Sequence, residues 1–453
     1  MMSVNLDAAL VQLRKKRIAV LGLGVSNRPL VKLLLEAGCT VTGCDRTPRE
    51  KLDAQVLALE KQGCTLSLGE NYLDGIQADV VFRTPGMHPD QPGIRALREQ
   101  GAQVTSEMEL FFRVCPCRII AVTGSDGKTT TTSLIAAMLR QEGKRVWLGG
   151  NIGTPLLPQV QEMGPEDIAV VELSSFQLLD MTHSPHVAVV TNLAPNHLDV
   201  HKDMAEYVWA KENIFRFQGQ EDILILNGDN AITDGFRGNG RTLKFSRKGR
   251  TNGLFEENGV IYRGEVPVLN TGDILIPGDH NIENYMAAIL AVEGLVSDET
   301  VRQVAKTFGG VEHRIELVRV KDGVRFYNDS IASSPSRTIA GLRSFPEKVI
   351  LIAGGYDKQI PYDDLGPEIC RHVKKLYLNG ATAGKIREAV EKASAETCPE
   401  IFTFVNFEGA VMAAARESEV GDVVLMSPAS AAFDQFKNFM VRGDFFKKLI
   451  MEL

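Results

Sequence analysis

Short apolar runs alternate with helical patterns along the chain, and glycine or polar residues follow each run. Residues 17–21 read RIAVL and precede the turn GLGVSN, the helical pattern RPLVKLLLEAG and a second strand, TVTGCD. This order is a βαβ unit, which predicts a parallel nucleotide-binding sheet. The strand DVVFRT and the turn TPGMHPD follow. We predict that this first domain covers residues 1–106.

The same alternation occurs twice more. The strands RIIAVTG, IAVVEL, VAVVTN and DILILN predict a second sheet, before a β-rich stretch at about residues 241–277 and the helix HNIENYMAAILAVEGL. The strands VRFYNDS, KVILIAGG, KLYLNG and DVVLMSP predict a third sheet. We therefore expect an α/β protein of three domains, with the second at residues 107–311 and the third at 312–453. The first and third domains are predicted to be Rossmann-like.

Composition excludes several classes of protein. The 453 residues are 44% hydrophobic and carry a formal net charge of -7, which argues against a nucleic-acid binder that relies on phosphate contacts. The sequence contains no run of 18 apolar residues, so we expect no membrane span. The first residues do not resemble a signal peptide. The seven cysteines are scattered and lack zinc-site spacing. We expect reduced thiols and a cytoplasmic location.

The segment TGSDGKTT, at residues 123–130, carries the chemistry of a phosphate loop between a strand and a helix. Glycines let backbone N–H groups turn towards phosphate oxygens, and the helix N-terminus attracts anions. Lys128 would neutralise the β- and γ-phosphates of ATP, and the Thr129 hydroxyl would bind Mg²⁺. Val122 occupies the first glycine position of the strict motif, so a glycine turn with a chance lysine is the alternative. The predicted ATP-binding residues here are Gly124, Ser125, Asp126, Gly127, Lys128, Thr129 and Thr130.

Two further strands of the central domain end in polar residues. Glu172 ends IAVVEL, and His197 follows VAVVTN closely. Ligands of open parallel sheets bind at the carboxyl ends of the strands, where a carboxylate and an imidazole are natural metal ligands. Glu172 as a helix cap and His197 as a loop residue are the structural alternatives.

The motifs TGSDGKTT, GNIGTP, VELSSFQL, TNLAPNHLDVH, GDHNIENYMAA, EHRIE, YNDSIASSP and IAGGYDK resemble, in order, those of the Mur ligase family. These are ATP-dependent amide-bond-forming enzymes of peptidoglycan precursor synthesis. The C-terminal SPASAAFDQFKNFMVRGDFF is similar to the members that add D-glutamate to UDP-N-acetylmuramoyl-L-alanine. The resemblance covers nearly the whole chain. It implies a UDP-binding first domain, a P-loop ATPase-like central domain and an amino-acid-binding third domain.

The resemblance also implies roles around ATP. Lys128, His197, Lys211 and Arg314 would be catalytic, and two Mg²⁺ sites would use Thr129, Glu172, His197 and Lys211. Lys211 matches a lysine that the family carries as a carbamate, which can bind metal. ATP would also contact Asn281, Asn284, Arg314 and Asp329, the last two on closure of the third domain.

Roles in binding the other two substrates follow from the same resemblance. The implied UDP-substrate contacts are Gly22, Gly24, Ser26, Asn27, Asp45, Arg46, Thr47, Thr84, Pro85, Gly86 and Asn151. The implied amino-acid contacts are Ser333, Lys358, Phe433 and Phe439. Ile331 and Ala432 depart from the family, since many relatives have lysine and serine there.

Three alternatives remain open at this point. A Mur ligase with another acceptor, or a folylpolyglutamate-type ligase, would keep the chemistry, although the latter lacks a separate UDP-binding domain before the phosphate loop. A P-loop switch protein would turn over ATP without an acceptor. A NAD-binding first domain is the third, weakened because Asn27 replaces the third glycine of G-x-G-x-x-G. We expect small-molecule substrates, no nucleic-acid partner and a monomer.

Overall fold

The structure is a computed structural model, and it describes residues 5–195, 200–393 and 398–453. Its described residues form two compact units. One contains those of residues 1–270 together with 283–304, and the other contains those of 271–282 together with 305–453. The mixed α/β architecture with parallel sheets confirms the predicted fold class. The three sheets fall within the three predicted domain ranges, whose exact boundaries stay predictions.

The first sheet is fully parallel, in the order β3-β2-β1-β4-β5. Its strands are β1 (Arg17–Leu21), β2 (Thr40–Asp45), β3 (Thr65–Leu68), β4 (Val80–Arg83) and β5 (Gln103–Thr105). The helices of this part are α1 (Leu6–Leu13), α2 (Asn27–Glu36), α3 (Ala54–Lys61), α4 (Pro92–Glu99) and α5 (Glu107–Val114).

The second sheet belongs to the same unit and has the order β14-β13-β12-β11-β10-β9-β6-β8-β7. Its strands are β6 (Arg118–Thr123), β7 (Val146–Gly150), β8 (Ile168–Glu172), β9 (Val187–Val190), β10 (Ile223–Asn227), β11 (Arg241–Ser246), β12 (Leu254–Glu257), β13 (Val260–Arg263) and β14 (Val266–Asn270). The helices that follow β6 and the later strands are α6 (Lys128–Gln141), α7 (Ser175–Leu178), α8 (Met204–Arg216), α9 (His280–Ala291) and α10 (Asp298–Thr307).

One cluster of buried apolar residues spans the first two sheets. It includes Val20 on β1, Phe111 on α5 and Ala121 on β6. The parallel register sets Val122 and Gly150 on either side of Glu172, so β6, β7 and β8 end together. This edge of the sheet therefore gathers the polar residues that follow each strand.

The third sheet, in the second unit, has the order β15-β16-β20-β17-β18-β19. Its strands are β15 (Glu316–Lys321), β16 (Val324–Asn328), β17 (Val349–Ala353), β18 (Val373–Asn379), β19 (Glu400–Phe404) and β20 (Val423–Met426), with only β15 antiparallel to its neighbour. The helices of this part are α11 (Pro335–Leu342), α12 (Leu365–His372), α13 (Ala383–Lys392), α14 (Phe407–Arg416) and α15 (Phe439–Glu452). Leu351 packs into the cluster on one face and Ile350 into that on the other, so the sheet is buried on both faces.

The expectation of reduced thiols is wrong for one pair of cysteines. Cys370 at the end of α12 and Cys398 before β19 form a disulfide, with Cα atoms 4.4 Å apart. The two residues are 28 positions apart in the sequence, and the α/β winding of the third sheet brings them together. The other five cysteines are buried free thiols.

Among the described residues, every helix is too short or too polar to cross a membrane.

Candidate active site

The predicted phosphate loop joins β6 to α6. Gly124 and Gly127 have φ angles of 149° and 76°, which residues with side chains rarely adopt. A Cβ atom at Gly124 would lie 1.9 Å from Oγ1 of Thr191, so side-chain bulk is excluded as well. Gly127 is the N-cap of α6 and has no side chain with which to cap the helix. The first N–H groups of α6 can therefore serve an anion.

Hydrogen bonds to neighbouring segments and within the loop itself hold the phosphate loop in place. The Ser125 hydroxyl lies 2.9 Å from both the Ala194 carbonyl oxygen and the Tyr207 hydroxyl. The Asp126 N–H donates to Oδ1 of Asn192 at 3.0 Å. The ammonium of Lys128 folds back on the loop and donates to the Ser125 carbonyl oxygen at 2.8 Å. These hydrogen bonds hold the loop in its turn.

The start of α6 is lined by hydroxyls and by one asparagine of α9. Thr129 and Thr130 are half-buried in its first turn. Oγ1 of Thr131 donates to Oδ1 of Asn284 at 3.2 Å, which places Asn284 beside the loop. Asn281 belongs to the second unit, where its amide donates to the Pro277 carbonyl oxygen at 2.6 Å.

Glu172 ends β8 with its side chain almost fully buried. Its Oε1 accepts a hydrogen bond from Nδ2 of Asn151 at 2.8 Å, and the Asn151 N–H donates to its carbonyl oxygen. Its Oε2 is buried and has no hydrogen-bond partner among the described residues. Buried carboxylate oxygens are normally paired. A hard cation such as Mg²⁺ fits this unpaired oxygen, which lies at the strand edge beside the phosphate loop.

Lys211 on α8 is 1% exposed. Its Nζ donates to the Gly124 carbonyl oxygen at 2.8 Å and to Oγ1 of Thr123 at 3.1 Å. Burial, followed by the charge of Lys128, holds the Lys211 pKa well below its ordinary value, although Glu172 and Asp126 oppose this effect. The amine is therefore neutral more readily than an ordinary lysine. His197, the other predicted metal ligand, lies outside the described residues.

A cleft of about 220 Å³ opens between residues of the first and second sheets. Four predicted UDP-substrate contacts line it: Ser26, Asn27, Pro85 and Asn151. Nδ2 of Asn27 donates to the carbonyl oxygens of Leu21 and Gly22 at 3.1 and 2.9 Å. Asn27 thus holds the glycine turn in shape, a role that the sequence did not indicate. Because Asn151 also contacts Glu172, the cleft extends to the strand edge that carries the phosphate loop.

The remaining predicted UDP contacts lie at the carboxyl ends of β1, β2 and β4. Asp45 accepts hydrogen bonds from the N–H groups of Leu23 and Thr47, each at 2.8 Å. Burial would raise the Asp45 pKa, but these hydrogen bonds outweigh it and lower the pKa. Gly22 approaches Thr84 so closely that a Cβ would lie 2.7 Å from its Cγ2. The exposed members of this set are Gly24, Arg46 and Gly86.

In the second unit, Asp329 is buried directly after β16. It accepts hydrogen bonds from the Ser427 hydroxyl at 2.6 Å and from the Ile315 N–H at 3.3 Å. Burial raises its pKa to about 7, and the charge of nearby Arg314 opposes this rise. Arg314 is exposed, and it stands between His313 and Ile315, which have φ angles of 63° and 43°.

Three of the four predicted amino-acid contacts, Ser333, Lys358 and Phe433, occupy loops that follow β16, β17 and β20, which are neighbours in the sheet. Phe433 is exposed and packs edge-to-face on Tyr356, two residues before the exposed Lys358. Ser333 is half-buried after β16. Phe439 instead packs edge-to-face on His313. The Tyr356 N–H donates to the Ala431 carbonyl oxygen, which ties two of these loops together.

Two family models match this chain. The Mur ligase middle domain matches residues 122–292, and the Mur ligase glutamate ligase domain matches residues 313–430. The UDP-N-acetylmuramoylalanine–D-glutamate ligase of Acetivibrio thermocellus is 51% identical, with 99% of each chain covered. The chain belongs to the Mur ligase family. A protein of the same name from Clostridium botulinum (strain 657, type Ba4) is 48% identical over 97% of this chain and 98% of its own.

Solved Mur ligases share the fold. UDP-N-acetylmuramate–alanine ligase from Thermotoga maritima has a TM-score of 0.58 at 17% identity, with 96% of this chain and 99% of that chain covered. MurF from Acinetobacter baumannii has a TM-score of 0.59 at 16% identity, with 97% and 98% covered. These solved structures show the shared fold, and the 51% identical relative confirms the predicted resemblance to the Mur ligase family.

The structure of this Mur ligase adds Arg83 and Glu107, which the sequence analysis missed. Arg83 ends β4, is 1% exposed and pairs with Asp180 through both Nε and Nη2. It also donates to the carbonyl oxygens of Thr84, Pro85, Met87 and Phe176. Glu107 begins α5 and lines the cleft. An arginine that ends an otherwise apolar strand was the available signal for Arg83.

Proposed function

We propose that this chain joins D-glutamate to UDP-N-acetylmuramoyl-L-alanine through an amide bond, while ATP is converted to ADP and phosphate. The product is the dipeptide precursor of peptidoglycan. The observation that carries this conclusion is the 51% identity, over 99% of both chains, to a relative named for this reaction. That similarity includes the first domain, the phosphate loop and the C-terminal loops.

A carboxylate does not react with an amine under mild conditions, because oxide is a poor leaving group. Transfer of the γ-phosphoryl group of ATP to the alanyl carboxylate gives an acyl phosphate and ADP. The amine of D-glutamate then attacks the acyl carbon, and phosphate leaves as the amide forms and the amine loses its proton. Positioning and charge neutralisation provide the catalysis in such phosphoryl transfers.

The residues of the phosphate loop fit the first step. The N–H groups at the start of α6 would hold the phosphates, and Lys128 would exchange its bond to the Ser125 carbonyl oxygen for phosphate oxygens. Thr129 and Glu172 would hold Mg²⁺, which supplies positive charge to the phosphates when bound. The unpaired Oε2 of Glu172 supports this assignment.

Carbamylation of Lys211 is part of the proposal. A neutral amine adds to CO₂ and releases a proton, which gives an N-linked carboxylate. Only the unprotonated amine reacts, so the lowered Lys211 pKa favours this reaction. The new anion would lie beside the Gly124 carbonyl, where it could hold a second Mg²⁺ together with His197.

The UDP-sugar is assigned to the cleft, and D-glutamate is assigned to the loops that follow β16, β17 and β20 of the third sheet. The UDP-sugar would enter the cleft at Ser26, Asn27 and Pro85 and reach Asn151 with its alanyl end. Lys358 and Ser333 would bind carboxylates of D-glutamate, with Phe433 and Phe439 as apolar walls. The family resemblance alone supports three further ATP contacts, which are Arg314, Asp329 and Asn281. We also propose a cytoplasmic monomer.

The test is phosphate release from ATP in the presence of UDP-N-acetylmuramoyl-L-alanine, Mg²⁺ and bicarbonate. D-glutamate, L-glutamate, D-aspartate and no amino acid are compared, and the product is identified by mass. Phosphate release together with the dipeptide mass, with D-glutamate alone, is expected. If product forms with another amino acid instead, the mechanism stands and that amino acid replaces D-glutamate as the assigned acceptor. If ATP is hydrolysed at the same rate with every amino acid, and with or without the UDP-sugar, the ligase assignment is overturned.

A further inference from the structure

Glu107 is a buried carboxyl group in the wall of the cleft. It is 7% exposed, and among the described residues it receives one hydrogen bond, from the Leu157 N–H to its Oε1 at the long distance of 3.3 Å. Burial raises its pKa to about 7, and the hydrogen bond from Leu157 offsets only part of this effect. Buried carboxyl groups usually have several partners, so Glu107 has unused capacity to accept hydrogen bonds.

The other charged residue that lines the cleft is Arg83, and its guanidinium is engaged elsewhere. It pairs with Asp180 and donates to carbonyl oxygens of the turn after β4 and of Phe176. Arg83 therefore does not neutralise Glu107. Because Glu107 lines the cleft, a molecule bound there is in a position to donate a hydrogen bond to it.

The chemistry of a carboxylate limits this partner. A carboxylate repels the diphosphate of a UDP-sugar and accepts hydrogen bonds from neutral O–H and N–H groups. The start of α2, at Ser26 and Asn27, lines the same cleft without an acidic side chain and suits the diphosphate better. The sugar hydroxyls and the amide N–H groups of the muramoyl-alanyl portion are the donors that remain.

We propose that Glu107 binds the muramoyl-alanyl portion of the UDP-sugar, accepting a hydrogen bond from a hydroxyl or an amide N–H group. This inference rests on the proposed function. It makes Glu107 a specificity-determining residue that distinguishes the full substrate from the bare nucleotide.

The experiment compares the wild type with Glu107→Gln, which keeps the shape of the side chain and an acceptor for Leu157 but removes the charge. Glu109→Gln is the matched control, because Glu109 lies on the same helix and accepts hydrogen bonds from Thr182 outside the cleft. The KM values for UDP-N-acetylmuramoyl-L-alanine, ATP and D-glutamate are measured by phosphate release. Calorimetry measures the binding of UDP-N-acetylmuramoyl-L-alanine and of UDP alone.

We expect Glu107→Gln to raise the KM for the UDP-sugar about tenfold or more, the usual size of a lost charged hydrogen bond. The KM values for ATP and D-glutamate and the affinity for UDP should stay within about twofold, and Glu109→Gln should resemble the wild type.

An unchanged KM for the UDP-sugar would overturn the inference, as would equal weakening of UDP or an equal effect of Glu109→Gln. If the wild type forms no dipeptide, the proposed function fails. Calorimetry with the UDP-sugar and UDP then still decides whether Glu107 binds the sugar portion. Glu107→Leu replaces Glu107→Gln if the latter does not fold.

Discussion

The Nζ atom of Lys211 lies 2.8 Å from the carbonyl oxygen of Gly124, in the turn that begins the phosphate loop. An amine in a solvated position would be protonated, but Lys211 is buried and near the charge of Lys128. The contact therefore joins a lysine with a lowered pKa to the loop that is proposed to bind ATP.

Replacement of Lys211 by alanine is expected to reduce kcat at least ~100-fold, because a group that holds charge beside the phosphates is lost. Lys144→Ala changes an exposed lysine beyond the far end of α6 and should leave kcat within about twofold. If Lys211 acts as a carbamate, removal of CO₂ and bicarbonate lowers the wild-type rate, and added bicarbonate restores it. A wild-type rate that ignores bicarbonate would contradict the carbamate, and full activity of Lys211→Ala would contradict any catalytic role.

Glu172→Gln tests the proposed metal ligand. The rate is expected to fall about 100-fold, and the Mg²⁺ concentration for half-maximal rate to rise, because the unpaired carboxylate oxygen is replaced by a neutral amide. The melting temperature should not fall, since a buried charge has been removed. Glu166→Gln, an exposed residue near the other end of β8, is the control. An unchanged Mg²⁺ dependence in Glu172→Gln would rule out the assignment.

Arg83→Met should destabilise the first unit by about 3 kcal/mol, because Asp180 is left without its buried partner. Urea unfolding of the full chain, followed through the transition of this unit, measures the effect. Asp180→Asn should cost less, because the bonds from Arg83 to the carbonyl oxygens remain. The double variant should lose less than the sum of the two single changes. Strict additivity would show that the pair does not interact.

Burial of Glu107 makes stability depend on pH. Its pKa is about 7 in the folded chain, against 4.5 for the unfolded reference, so the folded state binds more protons between these values. The contribution to stability is complete below the unfolded pKa and is lost as the pH rises through the folded pKa. Glu107→Gln should therefore be about 3 kcal/mol more stable than the wild type at alkaline pH and equal to it at about pH 4. Denaturation across this range measures the difference, and a gap that does not change with pH would contradict it.

Sequence patterns were sufficient for the central strands of each sheet. Strands such as β6, β8 and β17 are continuous apolar runs, because both faces of a parallel sheet are covered. The edge strands β5 and β19 were not predicted. β5 has three residues, and β19 contains only exposed and half-buried residues, so their pairing depends on a neighbour that the local sequence does not show.

The candidate site was predictable to the extent that its residues follow strands or carry glycine. Lys211 reads as an exposed helical lysine, and only the family resemblance selected it; its burial comes from packing of α8 against the phosphate loop. Glu107 reads as an ordinary acidic residue in the first turn of a helix. Its burial arises from the packing of α5 near Leu157, fifty positions later.

The ion pair of Arg83 and Asp180 links the end of β4 to the turn after α7, a helix that begins three residues after Glu172. This ion pair therefore fixes the distance between two places in one unit. One is the part of the cleft that is proposed to bind the nucleotide, and the other is the edge of the second sheet that carries Glu172 and the phosphate loop. A fixed distance between these two places selects substrates of a matching length. We expect UDP-sugars whose terminal carboxylate is displaced by one residue, such as those already extended by an amino acid, to bind through the nucleotide yet fail to present that carboxylate to the phosphate.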